Sequence, residues 1–485
     1  MTNSIISMSD SYKFSHWKQY PKGTTKVYSY LESRGGKFDN ITFYGLQYIL
    51  KKYFEGIVIS ENDVEEAKEF IDNHIGTDIF NYDGWMIIAK ELGGKLPIRI
   101  KSAPEGMCIP VNNVLMTVEN TDDRVPWITN FCESLLLQTW YPTTVATLSR
   151  EIKKIFIEYL EKTTSYSKDE IINLLPFMLN DFGYRGASSD ESAAIGGSAH
   201  LVNFSGTDNI RAVNLITSYY NTDEILGFSI PASEHSTITS WGASNEVKAM
   251  ENMLDQYPTG TIACVSDSFD IIQACGMYWG GILRSKILQR NGRLVVRPDS
   301  GDPVQTLKQV FKILWNRFPG TTNEKGFKVL HPNIRVIQGD GINYESIISI
   351  LDMLVEEGYS IENIAFGMGG ALLQKIDRDT QKFAFKCSSI IINGEEFDVR
   401  KNPIEIDENG NRVESFKKSK AGRMKLMKKL VKMTKEEQTQ YFDQLYTEEN
   451  AHDEENDLLV AVFENGDVIK EWKFESIRDR AQVEF

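Results

Sequence analysis

Between about residue 145 and residue 387 the chain repeats one rhythm: a short apolar run ends abruptly in polar or glycine residues, and a longer segment, often of helical pattern, follows. The runs are Phe177–Leu179, Gly227–Ile230, Ile262–Val265, Leu294–Val296, Ile334–Ile337, Ile364–Phe366 and Phe383–Phe385. Short β-branched and aromatic runs bounded by turn residues read as buried strands. His235 to Asp267 is 32 residues and Asp267 to Arg297 is 30, about the length of one strand–helix unit. Repeated units of this kind predict a parallel sheet of the α/β class, open or closed into a barrel.

The flanks read differently. In residues 1–144, Val27–Leu31 and Leu96–Ile100 predict strands and Glu61–Asn73 a surface helix. In residues 388–485, Asn393-Gly394 and Asn465-Gly466 sit between β-prone residues and predict two-residue hairpin turns. Lys417–Lys432 is densely basic, and Glu448–Asp457 reads as an acidic, solvated loop. We therefore divide the chain into an N-terminal α+β segment (1–144), a barrel (145–387) and a β-rich segment (388–485) that pairs with the first.

Chemistry in parallel α/β folds gathers at the carboxyl ends of the strands, where the loops converge. Here those ends carry Asn180-Asp181, Glu234-His235, Ser266-Asp267, Arg297-Pro298-Asp299, Gly339-Asp340, Gly367-Met368-Gly369-Gly370 and Lys386. Asp181, Asp267, Asp299 and Asp340 are hard oxygen donors suited to Mg²⁺, which pairs few carboxylates with substrate phosphates. Arg297 offers a fork for phosphate, and the glycine runs offer backbone N–H groups. The bland alternative makes the glycines turns and the acids helix caps.

Composition narrows the partners. Lys and Arg number 53 against 68 Asp and Glu, a net charge of −15. This argues against general affinity for nucleic acid or anionic membrane. Five scattered cysteines without a C-x-x-C fit a reducing compartment. The absence of a signal-like N-terminus and of a long apolar stretch points to a cytoplasmic protein. The Walker A, H-E-x-x-H, G-x-S-x-G and G-x-G-x-x-G fingerprints are missing.

Longer motifs carry a resemblance. Asp10-Ser11-Tyr12-Lys13, Lys18–Pro21, Phe43–Tyr48, Asp181–Gly186, Asn203–Asp208, Glu234–Thr237, Ser266–Asp270, Arg297–Gly301 and Gln338–Gly341 run in order through nearly the whole chain. Together they resemble the nicotinamide phosphoribosyltransferase family. The resemblance implies a type II phosphoribosyltransferase fold, an α/β barrel with a β-rich second domain built from the N- and C-terminal segments. It also implies a homodimer with the active site at the subunit interface. The implied reaction joins nicotinamide to 5-phosphoribosyl-1-pyrophosphate, with Mg²⁺ as cofactor and ATP as co-substrate.

By the same resemblance Phe182 and Tyr12 sandwich the base, Tyr12 coming from the second subunit, and Asp208 accepts the amide N–H. A carboxylate there repels nicotinate: two like charges about 4 Å apart cost roughly 4 kcal/mol at an effective dielectric near 20. His235 is the implied phosphoryl acceptor from ATP, with Asp267 and Asp299 orienting it or, for Asp299, holding Mg²⁺. Arg185, Arg297, Gly339, Asp340 and Gly370 match positions around the ribose and phosphates, and Ser229 joins the substrate-binding set. Lys386 and Lys417 reach pyrophosphate or ATP phosphates, and Arg378 crosses from the other subunit. Asn180 stands where relatives carry histidine, and Ala263 and Met368 where serine is expected. A nicotinate phosphoribosyltransferase and a non-catalytic binding or signalling protein on the same fold are the rival readings. Asp208 and the Tyr12 motif argue against the first, and the intact Asp208, His235, Arg297 and Asp340 against the second.

Overall fold

A computed structural model describes residues 4–406, 410–414, 418–435, 438–451 and 453–483. The chain forms two compact units. One comprises Met1–Thr147, Ser218–Thr222 and Asp377–Ala481, the other Leu148–Thr217, Asp223–Ile376 and Gln482–Phe485.

The second unit is built on a six-stranded sheet in the order Gly206–Thr207, Leu179–Asp181, Ile364–Met368, Ile334–Gln338, Asn291–Arg297, Thr259–Val265. Every neighbouring pair is parallel. The run at Gly227–Ile230, predicted as a strand, acts instead as a seam. Phe228 bridges Gly206 at one edge and Ala232 bridges Ala263 at the other, both parallel, which joins the two edges into a barrel. The Phe177–Leu179 run enters its strand late, because a 3-10 turn with Pro176 occupies Leu175–Phe177.

Side-chain alternation sorts the strands into two faces. Ala263, Val295 and Ile337 point inward, with Phe182 and Ala365 packed on them. Ile262, Leu294, Val296 and Val336 are fully buried on the other face. Each such side chain contributes about 1.5–3 kcal/mol of burial. The covering helices show the matching stripe. Pro303–Arg317 buries Leu307, Val310, Phe311 and Leu314, and starts with Pro303 in its first turn and Asp302 accepting from the Gln305 N–H.

The first unit holds a seven-stranded sheet whose order is Glu395–Asp398, Phe383–Ile392, Thr24–Ser33, Val114–Asn120, Ile98–Ser102, Val460–Glu464, Asp467–Val468. N- and C-terminal strands thus share one antiparallel sheet. Both predicted hairpins form: Asn393 and Gly394 have φ of 52° and 87° between paired Ile392 and Glu395, and Asn465 and Gly466 have 51° and 86° between Glu464 and Asp467. Positive φ at both central residues is what a type I′ turn requires. The helix predicted at Glu61–Asn73 spans Glu61–His74, opened by a Ser60–Asp63 capping box.

Two expectations are corrected here. Phe383–Phe385 is not a strand of the parallel sheet. It pairs antiparallel with Thr24–Ser33, so Lys386 lies opposite Tyr30 rather than at a barrel strand end. Nor is the acidic stretch simply solvated: Asp457 is buried and accepts from Lys101 at 2.6 Å, and Asp453 pairs with Lys425 at 2.7 Å. Most of the basic run forms a strand, Met424–Lys435, paired with Gln438–Glu449. Among the described residues no helix is long and apolar enough to cross a membrane.

Candidate active site

Of the four strand-end acids, none caps a helix among the described contacts. Asp302 and Asp270 do that work on the neighbouring loops. Asp181 is fully buried, and its two oxygens accept from the Gly183 N–H at 2.7 Å and Asn209 Nδ2 at 3.0 Å. Of the four acids suited to Mg²⁺, this one is turned into the polypeptide. Burial pushes its carboxyl up to about 6.

Asp267 and Asp299 form one cluster with His235. Asp267 Oδ2 accepts from the Asp299 N–H at 2.7 Å and Ser300 Oγ at 2.6 Å. Its Oδ1 is buried without a hydrogen-bond partner and lies 3.8 Å from His235 Nε2. Asp299 Oδ2 is 3.4 Å from the same nitrogen. Arg297 holds Asp299 through Nε at 3.2 Å and Nη2 at 3.0 Å. His235 opens the short helix His235–Thr239, with its side chain 47% exposed and Nδ1 3.2 Å from Ser268 Oγ. The imidazole is thus presented to solvent with carboxylates behind one nitrogen, unlike a core histidine.

A cavity of about 470 Å³ opens beside this cluster, lined among others by Asn180, Phe182, Asp208, Ser229, Ala263 and Arg297. That volume suits a small ligand. Alanine at 263 and 365 makes the inner layer thin, which leaves the space open. Phe182 is aimed across it. A Cβ on Gly367 would sit well under 3.0 Å from the Phe182 ring, so this glycine seats the aromatic side chain. Gly367 and Met368 lie inside the strand rather than in a phosphate loop. Arg297 Cζ lies 5.8 Å from the ring centroid, and a Cβ on Gly339 would be 3.5 Å from both Phe182 and Asp299. Opposite, exposed Asp208 accepts a hydrogen bond from Ser229. Helix capping falls to Asn209, which accepts from the Ala212 N–H at 3.3 Å.

Asn180 donates to the carbonyls of Phe366 and Phe177. Met368 is buried, and its carbonyl accepts from the Phe182 N–H at 3.0 Å. Arg185 is exposed on the turn Tyr184–Gly186, Gly370 begins the helix Gly370–Leu373 beside Gly186, and Asp340 is exposed at its strand end.

Tyr12, Arg378 and Lys386 belong to the other unit. Tyr12 is 60% exposed on the 3-10 helix Ser11–Lys18, and Arg378 is exposed beside Asp379. Burial lowers Lys386, and Arg34, Lys401 and Arg378 act on it in the same direction, while Glu133 opposes them. Arg34 was missed by sequence reasoning. Its side chain is 10% exposed, its Nε donates to buried Glu32 at 2.7 Å, and its Nη2 has no hydrogen-bond partner. A buried, half-satisfied guanidinium among other cations is an anion-binding feature. The only sequence signal was a charge at the end of a strand. Lys417 lies outside the described residues.

Among the described residues no group of three or more His, Cys, Asp and Glu side chains is assembled for a metal. Asp299 and Asp340 are nevertheless hard oxygen donors at adjacent strand ends, the pattern for a Mg²⁺ that shares its shell with substrate phosphates.

Comparison with known proteins gives the family and the fold. The model of the nicotinate phosphoribosyltransferase (NAPRTase) family matches residues 177–465, and that of the nicotinamide phosphoribosyltransferase N-terminal domain matches residues 4–100. A nicotinamide phosphoribosyltransferase of Xanthomonas campestris pv. campestris is 46% identical over 99% of this chain and 98% of its own. One from Acinetobacter baylyi is 29% identical over 97% and 95%. Two solved structures share the fold at 14% identity: the nicotinate-nucleotide pyrophosphorylase of Pyrococcus furiosus (TM-score 0.54, covering 98% of this chain and 94% of that one) and human nicotinic acid phosphoribosyltransferase (TM-score 0.52, 98% and 92%). The chain is a pentosyltransferase and belongs to the nicotinamide phosphoribosyltransferases, within the nicotinate phosphoribosyltransferase family.

Proposed function

We propose that the protein joins nicotinamide to 5-phosphoribosyl-1-pyrophosphate, releasing nicotinamide mononucleotide and pyrophosphate, with ATP coupled through His235. The observation that carries this reading is the cavity of about 470 Å³ lined by Phe182 and the Asp208–Ser229 pair. A flat aromatic base stacks on Phe182, and its carboxamide N–H donates to Asp208. The ring nitrogen already has its lone pair, so no general base is needed there. Breaking the bond at ribose C1 builds positive charge on the sugar and negative charge on the leaving pyrophosphate. Arg297 and Arg185 are the barrel unit's cations that stabilise that charge, and Arg34 and Lys386 are the sheet unit's candidates for holding an anion. Asp299 and Asp340 would hold Mg²⁺, which supplies further neutralisation of pyrophosphate when bound.

Neutral imidazole is a nucleophile near pH 7. The carboxylates of Asp267 and Asp299 at Nε2 favour a proton there, which leaves Nδ1 its lone pair. In the homodimer of this reading, Tyr12 and Arg378 come from the partner subunit.

The test offers the purified protein phosphoribosyl pyrophosphate, Mg²⁺ and equal nicotinamide and nicotinate, with and without ATP. Nicotinamide mononucleotide formed faster with ATP supports the proposal. The nicotinate mononucleotide as main product overturns the Asp208 argument, and neither product overturns the catalytic reading.

A further inference from the structure

Asp181 is one of the four strand-end acids suited to Mg²⁺, yet its contacts all run inward to the polypeptide. Its side chain joins the two segments that bound the base cavity. Oδ1 accepts from the Gly183 N–H at 2.7 Å, which fixes the turn immediately after Phe182. Oδ2 accepts from Asn209 Nδ2 at 3.0 Å, which fixes the residue immediately after Asp208. The Asp181 carbonyl also accepts from the Asp208 N–H at 3.0 Å. Asn209 is itself fully occupied, donating to the Ala193 carbonyl at 2.8 Å and accepting from the Ala212 N–H. The packing leaves no alternative seat for the carboxylate: a Cβ on Gly197 would fall under 3.0 Å from Oδ2, and one on Gly183 would meet Oδ1 at 3.0 Å.

We propose that Asp181 is a positioning residue that couples the stacking ring of Phe182 to the amide acceptor Asp208, so that ring stacking and amide selection are set by one buried side chain. The inference rests on the reading of Phe182 and Asp208 given above. A buried carboxylate with only neutral donors is costly, and a site where both donors flank substrate-binding residues explains why acid rather than amide stands there. An asparagine at 181 keeps the shape but turns an N–H₂ group toward one of the two donors. Either the Phe182 turn or the Asp208 segment then loses its tie.

The test compares Asp181→Asn, Asn209→Ala, Phe182→Ala and Asp208→Asn in the full-length enzyme. The Asp181→Asn protein is expected to raise KM for nicotinamide about tenfold and to lower the nicotinamide-to-nicotinate ratio, with KM for phosphoribosyl pyrophosphate within about twofold of the parent. A purely structural role would move both KM values and the unfolding temperature together. In the Asp208→Asn background, Asp181→Asn should add little to the lost selectivity, because both act through one contact. An unchanged nicotinamide KM and ratio in folded Asp181→Asn overturns the inference. If that variant does not fold, Asn209→Ala, which removes one tie, decides in the same way. Should Phe182→Ala and Asp208→Asn themselves leave nicotinamide KM and the ratio untouched, the underlying reading of the pocket fails instead.

Discussion

The two sheets of this protein collect functional groups by different rules. In the parallel sheet, Asp181, Arg297, Gly339 and Asp340 lie at or just beyond strand ends because every strand runs the same way and its loops meet on one face. In the antiparallel sheet, Lys386 lies in a strand whose register sets it opposite Tyr30, and Arg34 follows directly on the partner strand Thr24–Ser33. The first rule is local and visible strand by strand. The second depends on which strands pair, and the two strands are separated by some 350 residues. The charges differ as well. The barrel unit offers carboxylates, one imidazole, Arg185 and Arg297 beside a ring pocket, whereas the sheet unit offers Arg34, Arg378 and Lys386.

Variants of the base pocket in the barrel unit and of Arg34 in the sheet unit should therefore damage different substrates. The largest effect is expected for His235→Ala, which should abolish ATP stimulation and keep basal transfer; rate measurements with and without ATP check it. Undiminished stimulation would remove His235 from the coupling. Next, Arg34→Ala in the sheet unit should lower kcat/KM for phosphoribosyl pyrophosphate about a hundredfold and leave the nicotinamide-to-nicotinate ratio intact, since it removes a charge-assisted contact. A change in the base ratio would blur the comparison. Asp208→Asn should do the converse, relaxing the ratio at least tenfold, because water around the exposed carboxylate screens part of the repulsion. Gly367→Ala should raise nicotinamide KM severalfold by displacing Phe182, and the effect should vanish in a Phe182→Ala background.

The smallest effect concerns stability, and here the units behave alike. Each contains a buried acid: Asp181 in the barrel, and Glu105 in the sheet unit, where burial pushes the carboxyl up to about 7 while its oxygens cap the Gly45 and Gln47 N–H groups. A carboxyl raised above its unfolded value binds its proton more tightly in the folded state. Its contribution is therefore full below about pH 4 and is lost as pH rises to about 6 for Asp181 and 7 for Glu105. At 1.36 kcal/mol per unit the loss is on the order of 3 kcal/mol for each. Denaturant midpoints between pH 4 and 7 should fall with pH, and Asp181→Asn and Glu105→Gln should each flatten that slope. A midpoint independent of pH would show that neither acid titrates in the window.

Much of the barrel was legible because strand periodicity and turn chemistry are properties of neighbouring residues. The strands at Ile262–Val265, Leu294–Val296, Ile334–Ile337 and Ile364–Phe366, the helix after Ser60 and both Asn-Gly hairpins follow from patterns a few residues long. The site was legible wherever a functional group stands next to a strand end, as at Asp267, Arg297 and Asp340. Its misread members are those whose role depends on surroundings. Asp181 looks the same in sequence as Asp267, but helices on the outer face enclose it.

By itself the sequence determined the α/β rhythm, the positions of the strand ends, the mixed flanks and, through long motifs, the family. The tertiary structure alone decided that Gly227–Ile230 is the seam closing the barrel, and that Phe383–Ile392 leaves the parallel sheet to pair with Thr24–Ser33. It also decided that Asp181 is buried, that Gly367 is the seat of Phe182, and that Arg34 is buried against Glu32. The physical reason is range. Periodicity, caps and turns are set by local sterics and hydrogen bonds, while strand partners and burial depend on contacts between residues far apart in the chain, which a pattern read along one strand does not specify.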